Sequence, residues 1–315
     1  MLAFRLFPLR LTFRALDAIR FPAGQSTNIL RGAFGIIFRG LVCDPQCPGA
    51  KLCPKRESCP YARVFEPHAL QRPGAPSGLV DRPRPFVFRA AHLDDTTFRS
   101  GQSFHFDLNL FDMQQPAIGY FSAAFAQLVD SGLGPWGGRA ELISVYQLHP
   151  AATLYEDGRL RIESPQPMVL PLDPPSEPVH RLRVFFRTPT ELKEGGGVTR
   201  RPDFALLAAR MRDRVSALRQ FYDEGPLPID FRAFKERAAK VRMTSFRSQD
   251  VAVRRHSSKT KQTHPIGGFV GEAEYEGDLT EFVPYLEAAR WTGVGRQTVW
   301  GKGAIEWIAP HMLQA

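Results

Sequence analysis

The chain has 315 residues, 43% hydrophobic and 23% charged, a balance that excludes a chain disordered throughout and a length that suits two domains with cores of their own. Lys and Arg number 41 against 32 Asp and Glu, a formal net charge of +9. On charge alone this points either to a polyanionic partner or to a solubilising basic surface.

Arg5, Arg10, Arg14 and Arg20 break up the apolar residues at the start of the chain, so no secretory h-region forms there. No stretch reaches the roughly 18 apolar residues of a spanning helix. A soluble cytoplasmic protein is expected, and in that reducing compartment cysteines serve as metal ligands more often than as disulfides.

Phe4 to Leu16 alternates, with Leu9, Leu11 and Phe13 on one face and Arg10, Thr12 and Arg14 on the other, which predicts a strand. Ser26 is placed to cap a helix whose stripe is Ile29, Leu30, Phe34, Ile37, Phe38 and Leu41. Apolar runs at Phe86 to Ala91 and Phe104 to Leu110 predict two strands. Ile118, Phe121, Phe125, Leu128 and Val129 predict a helix that stops near Gly132 and Gly134, and Ala140 to Leu148 a further strand. Six prolines between Pro165 and Pro178 then oppose regular structure.

The same order follows: a strand at His180 to Arg187, a helix through Phe204, Leu207, Met211, Val215 and Tyr222, strands near Val241 to Val253 and Ile266 to Tyr275, a short helix at Leu279 to Leu286, and a strand at Gly303 to Ile308. A doubled βαββαβ order predicts an α+β fold of tandem ferredoxin-like (RRM-like) domains, residues 1–170 and 178–315. Each would carry a four-stranded antiparallel sheet with helices on one face and the other face open to RNA.

All four cysteines, Cys43, Cys47, Cys53 and Cys59, fall in one insertion of the first domain at spacing C-x3-C-x5-C-x5-C. Four thiolates suit a tetrahedral zinc ion, with a four-iron cluster as the alternative because the paired C-x2-C knuckles of zinc sites are missing. With no histidine or carboxylate leaving an open coordination position, such a metal is structural.

Two segments of the second domain carry basic chemistry. Arg254, Arg255, His256, Lys259 and Lys261, with His264 just beyond, join two predicted strands as a polar arm suited to clamping a phosphate backbone, or as a solvated loop. Gly293, Gly295, Gly301 and Gly303 surround Arg296 and Lys302. Four glycines let backbone amides approach a phosphate while two cations add charge; the alternative is a plain glycine-rich turn.

That glycine loop, Gly267-Gly268-Phe269-Val270-Gly271-Glu272 and Tyr275-Glu276-Gly277-Asp278-Leu279 together resemble the C-terminal domain of the CRISPR precursor-RNA processing endoribonucleases of the RAMP superfamily. Leu30-Arg31-Gly32-Ala33-Phe34-Gly35 and Cys59-Pro60-Tyr61-Ala62-Arg63-Val64-Phe65-Glu66 resemble a branch of the same family. The resemblance implies binding of a CRISPR repeat RNA and one metal-independent cut per repeat, leaving a 2′,3′-cyclic phosphate and a 5′-hydroxyl. Many members place a catalytic histidine on or just after the first helix; Ser26 to Leu41 has none. His256, then His264 and His68, are therefore the acid–base candidates, with Tyr61 and Lys302 as helpers. The alternative is a non-catalytic subunit that holds crRNA within a CRISPR effector complex alongside its other subunits.

Overall fold

A computed structural model describes residues 2–70, 82–161, 165–256 and 263–309. These form two compact units. One comprises Leu6–Met168 with Phe221–Asp223; the other comprises Met1–Arg5, Val169–Gln220 and Glu224–Ala315.

The N-terminal unit is built on strand β1 (Ala3–Ala15), whose alternation buries Leu9, Leu11 and Phe13 completely. Helix α1 (Ser26–Val42), β2 (Phe86–Arg89), β3 (Ser103–Leu110), helix α3 (Ile118–Ala126) and β4 (Ala140–Gln147) follow in the predicted order, with the short helix α2 (Pro60–Val64) between α1 and β2. The strands run β2-β3-β1-β4, antiparallel throughout, the ferredoxin-like order. A hairpin of β5 (Ala152–Glu156) and β6 (Arg159–Leu160) extends the β4 edge.

Phenylalanine fills the space between sheet and helices. Phe34 stacks on Phe121 at 3.9 Å between ring centroids and also meets Phe38, Phe65, Phe86 and Phe125. The approach of Phe65 explains Gly35: a Cβ there would lie 2.2 Å from the Phe65 ring tip.

Helix α1 starts at Ser26, but Ser26 is not its cap. Its backbone N–H donates to Asp94 Oδ1 at 2.9 Å and its hydroxyl to the Ala90 carbonyl at 2.8 Å. The carboxylate that satisfies the helix N-terminus thus comes from a residue 68 positions away, which local pattern reading does not reveal.

In the C-terminal unit β7 (Arg181–Thr190), helix α4 (Phe204–Tyr222), β10 (Arg242–Val251), β13 (Gly268–Glu276), helix α6 (Val283–Thr292) and β14 (Ile305–Ile308) repeat the pattern, with the sheet running β10-β13-β7-β14. Two hairpins interrupt it: β8 (Leu192–Glu194) with β9 (Gly197–Thr199), and β11 (Arg254–His256) with β12 (Thr263–Pro265). Helix α5 (Phe231–Ala238) is an addition to the predicted order, capped by Asp230, which accepts from the N–H groups of Arg232 and Ala233.

Candidate functional site

The open face of the C-terminal sheet is not a bare cationic platform. Alternation brings Arg181, Arg183, Arg187 and Arg242 to the surface of β7 and β10, and each meets a carboxylate there. Arg181 and Arg183 bind Glu274, Arg187 binds Glu306 at 2.6 Å, and Arg242 binds Glu276 at 3.0 Å. The pull of the two arginines, Arg183 first, holds the Glu274 carboxyl below the ordinary range. On the open face of the N-terminal sheet Arg10 likewise holds Asp107 with two hydrogen bonds, at 2.7 and 2.9 Å. A cation neutralised by its own carboxylate contributes little to phosphate binding.

The glycine loop lies between α6 and β14. Gly293, Gly295, Gly301 and Gly303 have φ of 71°, 77°, 72° and 67°, the left-handed region. Two of these positions also have no room for a side chain: a Cβ on Gly295 would sit 2.3 Å from the Glu191 carbonyl oxygen, and one on Gly303 1.9 Å from that of Val294. The loop is stitched to the end of β7 by Arg296 N–H to Glu191 O at 3.0 Å, Gly303 N–H to Pro189 O at 3.1 Å and Ala304 N–H to Thr188 Oγ1 at 2.9 Å. Part of the glycine content therefore serves backbone packing. Of its two cations, Arg296 is exposed and paired with Glu191, whereas Lys302 is only 6% exposed.

The basic arm forms hairpin β11–β12, in which Arg254 pairs with Pro265, Arg255 with His264 and His256 with Thr263. The register thus brings the two candidate histidines onto neighbouring rungs. Lys259 and Lys261 lie outside the described residues. His68 is half-buried in a single 3-10 turn, Pro67–Leu70. Tyr61 on α2 is packed against Phe38 and Phe65, and burial pushes its hydroxyl up to about 12, which keeps it a neutral donor.

One titratable pair escaped sequence reasoning. His92 Nε2 lies 2.9 Å from the His105 carbonyl oxygen, and the two rings are 4.9 Å apart beside Arg10 and Asp107. Burial, reinforced by Arg10, lowers the His105 pKa. The two residues stand 13 positions apart in sequence, on different elements, with no motif to join them.

The four cysteines follow α1 and end at α2, with no disulfide among them. All four line one cavity of about 400 Å³. Burial, with the neighbouring Cys59 and Cys47 thiols, pushes the Cys43 thiol up to about 11. Among the described residues no three His, Cys, Asp or Glu already converge into a metal-holding group. No helix among the described residues is long and apolar enough to cross a membrane.

Two ferredoxin-like units, the second with a glycine loop between its last helix and strand, make up a RAMP-type fold. Residues 4–167 match a family model described as an N-terminal domain, and residues 184–305 match that of the CRISPR-associated endoribonuclease Cas6. The C-terminal unit is thus similar to the domain of the CRISPR-associated endoribonuclease Cas6. No curated protein matches it.

Among solved structures, a Cas6 product complex matches with a TM-score of 0.54 and 19% identity over 96% of this chain and 99% of that one. Thermus thermophilus Cas6 matches with a TM-score of 0.51 and 17% identity over 98% of this chain and 100% of that one. A partial Cas6-RT-Cas1--Cas2 complex matches with a TM-score of 0.55 and 11% identity, covering 97% of this chain and 46% of that one. At these identities the likeness is one of fold.

Proposed function

We propose that the chain binds the repeats of a CRISPR precursor RNA and cuts each once, by attack of the ribose 2′-hydroxyl upstream of the scissile bond on its own phosphate. A base takes the 2′-hydroxyl proton, the bond to the 5′-oxygen breaks, and an acid protonates that oxygen, leaving a 2′,3′-cyclic phosphate and a 5′-hydroxyl. The match of residues 184–305 to the Cas6 endoribonuclease domain is the observation that carries this reading.

The acid and base are assigned to His256 and His264 on hairpin β11–β12, with His68 third. Their support is chemical and positional: imidazole titrates near neutrality, and the hairpin register sets His264 opposite Arg255 and His256 one rung away. The RNA backbone is assigned to the basic arm (Arg254, Arg255, Lys259, Lys261) and to the glycine loop, where Arg296 would exchange Glu191 for a phosphate and Lys302 would supply a buried charge. Such a cation stabilises the phosphorane as it gains charge. The ion-paired sheet faces favour the arm over the sheets as the salt-sensitive element. The product and its nuclease would then join other CRISPR subunits, as Cas6 does in the Cas6-RT-Cas1--Cas2 complex.

The cut is assigned to side chains, with no step routed through a metal. Incubating the purified chain with labelled repeat RNA in the presence of EDTA tests the reading. A single cut per repeat is expected. Binding without cutting moves the chain to the RNA-holding class, and failure to prefer repeat RNA removes the reading.

A further inference from the structure

The segment from Cys43 to Cys59 has firm ends and little inside to hold it. Cys43 is the residue after α1, its N–H bonded to the Arg39 carbonyl at 3.0 Å. Cys59 is the residue before α2, its carbonyl accepting the Arg63 N–H at 3.0 Å. Between them the chain makes isolated turns and one 3-10 turn, Arg56–Ser58. Its apolar contribution is small: Ala50 packs with Ala62 and Ala69, backed by Cys59 and Leu70, while Leu52 is 75% exposed. Ordering a segment of this length costs on the order of 1 kcal/mol per residue in backbone entropy alone. Three alanines return only a few kcal/mol. A further interaction has to hold it.

The cysteine placement supplies that interaction. Every cysteine of the chain lies in this segment, each is half-buried, none is bridged, and all four line the same cavity. Pro48, Pro54 and Pro60 each follow a cysteine and line that cavity too, fixing φ next to three of the four thiols. The charges around it suit thiolates. Lys51, Lys55 and Arg56 lie within the segment and Arg39 reaches in to hold the Cys47 carbonyl, against Asp44 and Glu57. A zinc ion with four thiolates carries a net double negative charge, which those cations offset.

We propose that Cys43, Cys47, Cys53 and Cys59 bind one soft metal centre, a zinc ion or a four-iron cluster, that staples the end of α1 to the start of α2. The thiols line one cavity without converging on a point. This is the condition of a site whose final geometry forms with the ion, so that binding free energy becomes folding free energy. The centre is structural. It fixes α2, which carries Tyr61 against Phe38 and Phe65 and carries Arg63 to Asp112.

The test uses the full chain purified anaerobically with a thiol reductant. Elemental analysis with native mass spectrometry should find about one zinc per chain, or about four iron with a visible charge-transfer band. A mercurial should release the metal in step with titration of all four thiols. Cys47→Ser and Cys53→Ser should each strip the metal and lower Tm. Because such variants can fail to fold, the wild-type thiol count stands as the independent measurement. Folded wild-type protein with no bound metal and four freely reactive thiols overturns the proposal, as does an intact mass showing disulfides in place of metal. Both hold whatever becomes of the RNA activity.

Discussion

Asp112 accepts two hydrogen bonds from Arg63, at 2.6 and 2.8 Å, with a carboxylate only 1% exposed. The same carboxylate accepts the N–H groups of Gln114 and Gln115 at 3.1 and 2.9 Å. One buried anion thus fixes both the helix that follows the cysteine segment and the turn that leads to α3. Asp112→Ala takes the carboxylate from Arg63 and leaves it Gln114 Oε1, at 3.1 Å, as acceptor, and removal of one member of such a buried pair costs about 3 kcal/mol. The Arg63→Met, Asp112→Leu double variant should recover part of the loss, read by urea unfolding; additive losses would show that the pair does not couple.

Gly35→Ala makes a second stability test with opposed terms. Helix propensity favours alanine by about 1 kcal/mol, but the added Cβ meets the Phe65 ring at 2.2 Å. The clash should win and lower Tm, and Phe65→Leu in the same chain should reverse much of the effect. A stabilised single variant would mean the ring yields at no cost.

Asp94→Ala removes the carboxylate at the start of α1 and should destabilise by about 1 kcal/mol, the usual worth of a cap. Asp94→Asn, which keeps an acceptor, should retain most of it. Equal losses from both would assign the effect to charge and the helix dipole instead.

Acid titration isolates the sheet-face pairs. Glu274 has its folded pKa lowered by Arg183 and Arg181. Its stabilisation is therefore complete above the ordinary glutamate pKa and fades as pH falls through the lowered folded value. Glu274→Gln should cost stability at neutral pH and flatten the acid limb of the stability profile in that window. An unchanged acid limb would show that the carboxylate gains nothing from its arginines.

Neutralising Arg254, Arg255, Lys259 and Lys261 together should reduce the slope of log K against log salt, by about 0.7 for each phosphate of a single-stranded RNA that the arm no longer neutralises. Arg187→Gln, which removes a cation already paired with Glu306, should leave the slope unchanged. The reverse pattern would move the RNA to the sheet face. Arg296→Ala and Lys302→Ala should each weaken repeat binding; unchanged affinity in both would leave the glycine loop with its packing role alone.

Much of the architecture is legible in the sequence because its periods are clean. Phe104, Phe106, Leu108 and Leu110 alternate into the core, and the stripe on α1 closes on Phe34 and Phe38. What periodicity misses has two sources. Asp157-Gly158 and Gly195-Gly196 turn the hairpins β5–β6 and β8–β9 with positive φ; such dipeptides are among the strongest local turn signals, and they announce hairpins that an order of long apolar runs passes over. By contrast the Asp94 cap, the His92–His105 pair and the Arg–Glu ladder on β7 and β13 depend on pairing across the fold. Site chemistry is legible as composition, in the glycines and cysteines, and not as geometry. Nothing in a run of glycines tells that Gly303 is needed for the Val294 carbonyl.

Cleavage of repeat RNA in EDTA, with end-group analysis on wild type, His256→Ala, His264→Ala, His68→Ala and the His92→Asn, His105→Asn double variant, tests whether the hairpin histidines carry the cut. Wild type is expected to make one cut per repeat with a 2′,3′-cyclic phosphate, His256→Ala or His264→Ala to lose at least about a hundredfold in rate, and the double variant to keep near-normal rates. Full activity in both hairpin variants with loss in the double variant would move the chemistry to the N-terminal sheet, and a 3′-hydroxyl product would contradict the mechanism itself.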